Sequence, residues 1–472
     1  MKWSDFAAWG RKVADWTQDY HLTVGQRPVR AQTEPGEILN ALPAAPPEDP
    51  QPLEDVFRDF ENIVMPGMTH WQHPRFFAYF NANASPASVL AEFLTSAVAA
   101  QCMLWQTSPA ATEMETRMMD WLRQSLDLPT RFSGVIQDSA SSATLAAVLT
   151  MREKALGWTG NTAGLAGQKP LRVYASVEVH TSVDRAIWIA GIGQDNLVRV
   201  PTQGPMRGMD PAALDAAITA DRAAGLLPAG VILAVGGTGT GGTDPIADCI
   251  AVAHRHGLYV HVDAAWAGSA MICPEFRDMW AGIEDADSVV FNPHKWLGVQ
   301  FDCAAHFLAN PDDLVRTLAI QPEFLKTHGK DGIVNYSEWS VPLGRRFRAL
   351  KIWFVLRAYG LEGLRNRIRN HVTWSLDLHD RLKATPGFEI VTEPVLSLFT
   401  FRYAPEGGDA DALTLALVTA INDDGRIYLT QTRVGGQMAI RFQAGQFETT
   451  EDDVKLAYDV IRDMAAALPC PA

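Results

Sequence analysis

Residues 257–268 read GLYVHVDAAWAG, and residues 287–296 read DSVVFNPHKW. Each stretch begins with apolar, strand-like residues and reaches a functional side chain near its end, Asp263 in the first and Lys295 in the second. The carboxyl ends of parallel strands meet at one edge of an open sheet, where ligands of such sheets bind. We therefore expect a carboxylate and an amine to meet at that edge.

This pair of side chains suits a pyridoxal phosphate site. A lysine amine can condense with the aldehyde of this cofactor, and a carboxylate facing the pyridine nitrogen keeps that nitrogen protonated. The protonated ring then accepts the electron pair released when a bond at the substrate's Cα breaks. A surface position for Lys295 and a helix cap at Asp263 are the plain alternatives for either residue alone. The two together, with Asn292 and His294 beside the lysine, favour the cofactor site.

Composition narrows the class of protein. The chain has 472 residues, more than one hydrophobic core usually serves, so two or more domains are expected. A net charge of -14 disfavours binding to nucleic acid or to anionic membrane surfaces. We therefore expect a small-molecule substrate, with no nucleic-acid or membrane partner.

The cysteines and the amino terminus predict the compartment. Five cysteines, an odd number without CxxC spacing, indicate reduced thiols and neither a disulfide framework nor structural zinc. Residues 1–18 lack the apolar core of a signal peptide, and no run reaches the 18 or so apolar residues that a membrane span needs. These features predict a cytoplasmic protein without a metal site.

The chain divides into three predicted parts. Residues 1–84 open with a helical apolar pattern over residues 3–20, whose apolar face needs a partner; a second copy of the chain would provide one. Residues 85–345 alternate strand-like and helical runs, which predicts a mostly parallel sheet covered by helices. Residues 346–472 read as the continuation of a long helix over residues 345–375 and a small α+β domain, with Gly435-Gly436 as a hairpin turn.

Three further segments follow predicted strands. Residues 139–144 read SASSAT and lead into a helix, so their backbone N–H groups could hold a phosphate, although an ordinary serine cap is the favoured reading of this segment taken alone. Residues 236–242 read GGTGTGG, a run that by itself usually marks a turn. His180 is expected to end the strand from Val173 to Val179, and its ring could stack on the pyridine or be an ordinary structural histidine.

The sequence resembles the aromatic-L-amino-acid decarboxylase family, the group II pyridoxal phosphate decarboxylases. The resemblance covers nearly the whole chain. It is densest in residues 70–74 (HWQHP), 76–80 (FFAYF), 108–110 (SPA), 268–270 (GSA), 274–277 (PEFR), 301–303 (FDC) and 342–348 (PLGRRFR).

The resemblance implies an α/β protein of pyridoxal phosphate fold type I, aminotransferase-like, and a homodimer with active sites at the interface. It implies that Lys295 binds the cofactor covalently and that Asp263 pairs with the pyridinium. Ala265 packs on one face of the ring, and His180 stacks on the other. The remaining cofactor shell is expected to comprise Ser139, Ala140, Ser141, Asn292 and His294, with either Thr238 or Thr240. The substrate pocket is expected to comprise Trp71, Tyr79, Phe80 and Gly344, with Gln101 and Met103 from the neighbouring subunit.

Two positions depart from the family pattern. Asn81-Ala82 stands where the family often has Pro-Thr, which alters the expected pocket wall. Phe324 stands where family decarboxylases usually carry a loop tyrosine, and family members that make aromatic aldehydes carry this same change. A phenol is a plausible general acid for protonating Cα, and a phenylalanine cannot give a proton.

The sequence therefore predicts loss of carbon dioxide from an aromatic L-amino acid, with an arylalkylamine as the product. The alternative is an aromatic aldehyde synthase, which releases arylacetaldehyde, ammonia and peroxide because dioxygen intercepts the electron-rich intermediate. A transaminase and a non-catalytic structural dimer are two further readings. The intact set of Lys295, Asp263 and His180 argues against the non-catalytic one.

Overall fold

The computed structural model describes residues 1–320 and 333–468, and the chain forms two compact units. The larger unit comprises Ala82–Val372 and Thr392–Phe399. The smaller unit comprises Met1–Asn81, Thr373–Val391 and Thr400–Ala472. The three-part division expected at residues 84 and 345 stays a prediction.

The strands of the described residues follow the chain in this order: Ser133–Gln137 (β1), Leu171–Ser176 (β2), Leu197–Val200 (β3), Thr202–Gln203 (β4), Gly208–Met209 (β5), Leu227–Ala234 (β6), Tyr259–Asp263 (β7), Ser288–Phe291 (β8), Ala304–Leu308 (β9), Phe388–Val395 (β10), Leu398–Tyr403 (β11), Thr430–Val434 (β12) and Gln437–Gln443 (β13).

The larger unit is built on a seven-stranded sheet in the order β1-β9-β8-β7-β6-β2-β3. Strands β3, β2, β6, β7 and β8 run parallel, and β9 runs antiparallel to both β8 and β1. The predicted, mostly parallel central sheet is thus confirmed. Strands β7, β8 and β9 are buried along their whole length, as expected when helices cover both faces of a parallel sheet.

The α-helices of the described residues are Trp3–Thr23 (α1), Glu37–Ala41 (α2), Leu53–Asp59 (α3), Pro86–Val98 (α4), Pro109–Ser125 (α5), Ala140–Ala155 (α6), Gly160–Ala163 (α7), Ser182–Ile189 (α8), Pro211–Ala223 (α9), Ile246–Arg255 (α10), Pro293–Trp296 (α11), Pro311–Leu318 (α12), Ala349–Lys383 (α13), Ala410–Asp424 (α14) and Glu451–Ala467 (α15). Short 3₁₀ segments lie at Val24–Gln26, Met65–Gly67, Gln194–Asn196, Ala267–Ile272, Pro274–Trp280, Ile283–Asp285 and Tyr336–Trp339, and a π turn lies at Phe60–Val64.

Helix α6 occupies the centre of the larger unit's core. Val148 on α6 and Ile187 on α8 join Val173 and Ile232 of the sheet in one cluster of fully buried side chains. This packing fixes the amino terminus of α6 at the end of β1, where the predicted phosphate segment begins.

The long carboxyl-terminal helix differs from its prediction. Helix α13 begins at Ala349 and not at residue 345, and it is interrupted at Gly360, whose φ of 63° and ψ of 165° are not helical. A glycine adopts such a conformation without a Cβ clash. The apolar pattern continues through Gly360, so the sequence pattern did not reveal that the helix is interrupted there.

The described residues also form a four-stranded sheet in the order β10-β11-β13-β12, whose strands β12 and β13 belong to the smaller unit. The predicted turn at Gly435-Gly436 is confirmed: it joins β12 to β13, and both glycines have positive φ, as a tight hairpin turn requires. Helix α1 forms as predicted. None of its residues is buried, although Trp16 contacts Phe60 with ring centroids 5.0 Å apart.

Among the residues described, no helix combines the length and the apolar character that crossing a bilayer would require.

Candidate functional site

Two neighbouring parallel strands bring Asp263 and Lys295 to the same edge of the main sheet. Strand β7 ends at Asp263, and β8 beside it ends at Phe291, four residues before the lysine. Beyond the strands, the N–H of Asn292 donates to the carbonyl of Ala265 at 2.9 Å, which keeps the two segments together. The site predicted from the two sequence stretches is therefore geometrically plausible at the carboxyl edge of this sheet.

Asp263 is held as a buried carboxylate. Its side chain is 8% exposed, and its Oδ1 accepts a hydrogen bond from the N–H of Ala265 at 3.0 Å. This bond fixes the direction of the carboxylate. A buried carboxylate placed against a ring nitrogen favours the protonated form of that nitrogen.

The position of His180 corrects one sequence prediction. Strand β2 ends at Ser176 and not at Val179, so a turn of three residues separates the strand from the histidine. Valines at 177 and 179 suggest a longer strand, but the chain turns there and brings Glu178 against the glycine-rich loop. His180 therefore stands at the start of α8, still at the carboxyl edge of the sheet.

Charges around His180 show that the three predicted groups lie near one another. The pKa of His180 is lowered mainly because the surrounding protein desolvates the ring, while the carboxylate of Asp263 opposes this shift and the ammonium of Lys295 adds to it. His180 Nδ1 accepts from the N–H of Ser182 at 3.1 Å. Because Nδ1 is an acceptor, the neutral ring carries its proton on Nε2.

The segment that carries Lys295 has buried supports that the sequence did not reveal. The Asn83 N–H donates to the carbonyl of His294 at 2.9 Å, and its side-chain amide donates to the carbonyl of Lys295. The next residue, Trp296, stacks on Trp266 with ring centroids 5.0 Å apart. Asn83 is 212 residues away in sequence from Lys295, so no local pattern could predict this contact.

The amino terminus of α6 provides a cradle for an anion. Ser139 is the cap of this helix, and its Oγ accepts from the N–H of Ser142 at 3.2 Å. The first N–H groups of a helix have no intrahelical acceptor and carry a partial positive charge, which suits a phosphate. Ala140 packs with Ala265 in one small cluster, so this helix terminus lies beside the Asp263 segment.

Asn292 and His294 add neutral polar groups at the same edge. Oδ1 of Asn292 is buried and has no hydrogen-bond partner among the described residues. His294 Nδ1 accepts from the N–H of Cys303 at 2.9 Å, and burial lowers the pKa of His294 to about 3. The ring is therefore neutral at pH 7 and carries its proton on Nε2. The Oδ1 of Asn292 is an acceptor, so it can receive a hydrogen bond from a donor group of a bound molecule but not from a phosphate oxygen.

The two threonines of the glycine-rich loop have different surroundings. Thr240 is buried, and its hydroxyl donates to Oε2 of Glu178 at 2.6 Å. Thr238 is half-buried. Glu178 thus holds the hydroxyl of Thr240, and an approach of Thr238 to the cofactor stays a prediction.

In the larger unit, Gln101 and Gly344 line one cavity of about 520 Å³, with Phe347 and residues 95, 96, 99, 100, 345 and 346. Gln101 Oε1 accepts from the N–H of Arg345 at 2.8 Å. A Cβ added at Gly344 would lie 3.3 Å from Nε2 of Gln101, so a side chain there would narrow the cavity. Met103 does not line this cavity; its carbonyl accepts from the N–H of Ser337 at 3.0 Å.

In the smaller unit, the predicted aromatic pocket residues form a cluster of rings. Trp71 stacks on Phe76 at 4.5 Å and on Tyr79 at 5.8 Å between centroids. Phe80 is buried under the guanidinium of Arg441, which stands 4.4 Å from the ring centroid. Trp71 and Tyr79 remain 38% and 47% exposed, so they offer flat apolar surfaces for a ligand.

Phe324 lies outside the described residues. Among those described, no group of three or more His, Cys, Asp or Glu side chains is arranged to hold a metal ion.

Comparison with known proteins shows which family the chain resembles. The family model described as "Pyridoxal-dependent decarboxylase conserved domain" matches residues 35–404. The chain is 40% identical to the aromatic-L-amino-acid decarboxylase of Sus scrofa, over 99% of this chain and 98% of that protein. It is 37% identical to the phenylacetaldehyde synthase of Arabidopsis thaliana, over 98% and 96%.

A solved structure supports the fold as well. The crystal structure of Oryza sativa TDC with PLP and tryptamine superposes with a TM-score of 0.95 at 36% identity, covering 99% of this chain and 98% of that one. The predicted α/β fold of the pyridoxal phosphate decarboxylases is therefore confirmed.

Proposed function

The chain belongs to the pyridoxal-dependent decarboxylase family, and we propose that it converts an aromatic L-amino acid to the arylalkylamine and carbon dioxide. Its cofactor is pyridoxal phosphate. The observation that carries the proposal is that Asp263 and Lys295 lie at the same edge of the main sheet. The chain also matches an aromatic-L-amino-acid decarboxylase of Sus scrofa over nearly its full length.

Each residue of the site has a part in this proposal. When bound, pyridoxal phosphate accepts the electron pair that departing carbon dioxide leaves on Cα. The amine of Lys295 would hold the cofactor at its aldehyde carbon, and the carboxylate of Asp263 would keep a proton on the ring nitrogen. The neutral ring of His180 would cover one face of the pyridine, and Ala265 would cover the other.

The phosphate is assigned to the amino terminus of α6. Ser139 and Ser141 would offer hydroxyl groups, and the helix would offer its first N–H groups. His294 is neutral, so it can donate from Nε2 without adding charge. This arrangement holds the cofactor at its phosphate end while the reacting carbon stays at the lysine.

The proposed substrate class is aromatic. Trp71 and Tyr79 are exposed rings, and Gly344 keeps a cavity open beside Gln101. The relatives named above act on aromatic amino acids or are named for aromatic products, which supports this choice. An acidic substrate would need a cationic pocket residue, and the two arginines that line this cavity are already ion-paired, Arg345 with Glu115 and Arg346 with Glu92.

The second candidate is an aromatic aldehyde synthase. It is favoured by Phe324 and by the relative named phenylacetaldehyde synthase. In that reaction, amino acid, dioxygen and water give aldehyde, carbon dioxide, ammonia and hydrogen peroxide in equal amounts. The two routes therefore share carbon dioxide and differ in every other product.

The test is a product balance. Purified protein saturated with pyridoxal phosphate is incubated with L-DOPA, tyrosine, phenylalanine or tryptophan, and carbon dioxide, amine and peroxide are measured together. Amine equal to carbon dioxide, without peroxide, supports the decarboxylase. Peroxide equal to carbon dioxide, without amine, refutes it in favour of the aldehyde synthase. Turnover of glutamate or aspartate, with none of the aromatic amino acids, would refute the substrate class.

The variant Phe324→Tyr is the matched comparison for the product. A phenol at this position can deliver a proton to Cα, so we expect the amine fraction to rise relative to wild type. Keto-acid production on adding α-ketoglutarate would indicate a transaminase instead.

The oligomeric state belongs to the same proposal. Trp3 and Leu22 of α1 are 83% and 74% exposed in the single chain, and a homodimer would bury such apolar surface. Light scattering of the purified protein should give twice the mass of the chain, and a monomer at micromolar concentration would contradict the dimer.

A further inference from the structure

Glu178 joins two loops of the larger unit through its side chain. Its side chain is 7% exposed, and its Oε1 lies 2.7 Å from Nε of Arg207. Its Oε2 accepts the hydroxyl proton of Thr240 at 2.6 Å. A carboxylate that is buried in this way is stable only with such partners.

The partners of Glu178 belong to separate loops of the larger unit. Glu178 itself stands in the turn between β2 and α8, two residues before His180. Thr240 stands in the glycine-rich loop, and Arg207 stands in the hairpin between β4 and β5. The hairpin and the loop are also joined directly, because the N–H of Thr243 donates to the carbonyl of Met206 at 2.9 Å.

The hydroxyl of Thr240 connects the carboxylate of Glu178 to the backbone of the glycine-rich loop. The N–H of Gly242 donates to Oγ1 of Thr240 at 3.2 Å, while that hydroxyl donates to Glu178. The N–H of Gly237 donates to the carbonyl of Gly242 at 2.8 Å and closes the loop. Thr238 thus stands within a loop whose shape depends on the carboxylate.

Steric fit shows how closely the loop packs on Glu178. A Cβ added at Gly237 would come within 2.7 Å of the Glu178 carbonyl oxygen. A Cβ added at Gly242 would come within 2.8 Å of the Glu178 Cγ. Both glycines are therefore needed for the loop to lie against this side chain.

We propose that Glu178 is a positioning residue, which locks the turn carrying His180 to the glycine-rich loop and thereby fixes the imidazole against the cofactor ring. This inference rests on the role proposed above for His180. Glu178 acts through the segment it holds and touches neither substrate nor cofactor. A misplacement of about 1 Å in a group that orients a reaction can cost about 100-fold in rate.

The experiment compares Glu178→Gln, Glu178→Ala and Arg207→Gln with the control Asp221→Asn. Asp221 forms an ion pair of similar burial with Arg172 at 3.1 Å, in the same unit. Apoprotein is titrated with pyridoxal phosphate to obtain its Kd, and visible circular dichroism per bound cofactor reports the orientation of the ring. Melting temperature, kcat and KM are measured on the same samples.

We expect Glu178→Ala to raise the cofactor Kd about tenfold, a factor that corresponds to about 1.4 kcal/mol. It should also reduce the visible dichroism per bound cofactor and lower kcat about 10-fold to 100-fold with a smaller change in KM. Glu178→Gln should lie between Glu178→Ala and wild type, since an amide keeps the hydrogen bond from Thr240. Asp221→Asn should lower the melting temperature and leave Kd, dichroism and kcat unchanged.

An unchanged dichroism and a Kd within twofold of wild type, in either folded Glu178 variant, would overturn the inference. If Glu178→Ala does not fold, Glu178→Gln and Arg207→Gln decide by the same readouts. Failure of the proposed function is distinguishable from this outcome, because wild type would then release no carbon dioxide, whereas Kd and dichroism could still be compared among the variants.

Discussion

The buried ion pair between Glu115 and Arg345 gives the sharpest prediction about stability. Glu115 lies on α5 and Arg345 lies just before α13, and both side chains are 3% exposed with Nη2 and Oε1 2.5 Å apart. Replacing one partner of such a pair leaves the other charge buried and typically costs about 3–5 kcal/mol. The variant Glu115→Gln removes the negative charge and keeps the size of the side chain.

The remaining hydrogen bonds place the expected cost within that range. Arg345 would still donate to the carbonyl of Ile136 and to Oγ of Ser340, each at 2.9 Å. The glutamine could still accept from the N–H of Ile136, which donates to Glu115 at 2.8 Å. Because the cation keeps two neutral acceptors, we expect Glu115→Gln to cost about 3 kcal/mol, the lower end of the range.

The assay is equilibrium urea unfolding in a double-mutant cycle. Glu115→Gln, Arg345→Met and the double variant are compared with wild type, at equal slopes of free energy against urea. We expect the double variant to lose less free energy of unfolding than the sum of the two single ones, by at least about 2 kcal/mol.

A half-exposed pair serves as the control. Lys154 and Asp313 lie 2.6 Å apart, with Lys154 37% exposed, so Lys154→Gln should cost about 1 kcal/mol or less. A cost below about 1 kcal/mol for Glu115→Gln, or additivity in the cycle, would refute the reasoning from burial.

Three further outcomes follow from single residues. Burial raises the pKa of Asp244 to about 6 from an ordinary 3.8, so the folded protein binds an extra proton between these two pH values. Its free energy of unfolding therefore falls as the pH rises from about 4 to about 6, by at most about 3 kcal/mol. Urea unfolding at both pH values should show a smaller fall for Asp244→Asn than for wild type, and an equal fall would contradict this prediction. Gly436→Ala should cost about 1 kcal/mol or more, because φ is 86° there, and a melting temperature equal to wild type would show that the turn tolerates a side chain. The cofactor-loaded wild type should have a yellow absorbance band that borohydride removes, and Lys295→Ala should lack this band. A band that persists in the variant would show that Lys295 does not bind the cofactor covalently.

Much of the fold could be predicted because its strands carry strong local patterns. The strand-like runs at residues 288–291 and 304–308 predict two strands, and β8 and β9 have these bounds. The strand before His180 was predicted three residues too long, because β-branched valines favour extended backbone wherever they occur. The side chain of Glu178, which lies between those valines, is largely buried against Arg207 and Thr240 where the chain turns.

The candidate site was predictable to the extent that it depends on strand ends. Asp263 ends one buried strand and Lys295 follows the next one, and neighbouring parallel strands end at the same edge of a sheet. Asn83 and Trp266, which support the lysine segment, could not be assigned in this way. Their partners lie on other elements, and such pairs are decided by tertiary packing and not by local sequence.

The glycine-rich loop shows why one signal can be correct and still incomplete. A run of glycines usually marks a turn, and this one does turn, with Gly236 and Gly241 at positive φ. Two other glycines of the run are needed for a different reason, since Gly237 and Gly242 leave no room for a Cβ beside Glu178. The sequence could thus indicate that something approaches this loop closely, but only the fold identifies a carboxylate from the turn that carries His180. In this chain, the glycine cluster beside the predicted cofactor site is therefore a surface on which another loop of the same site packs.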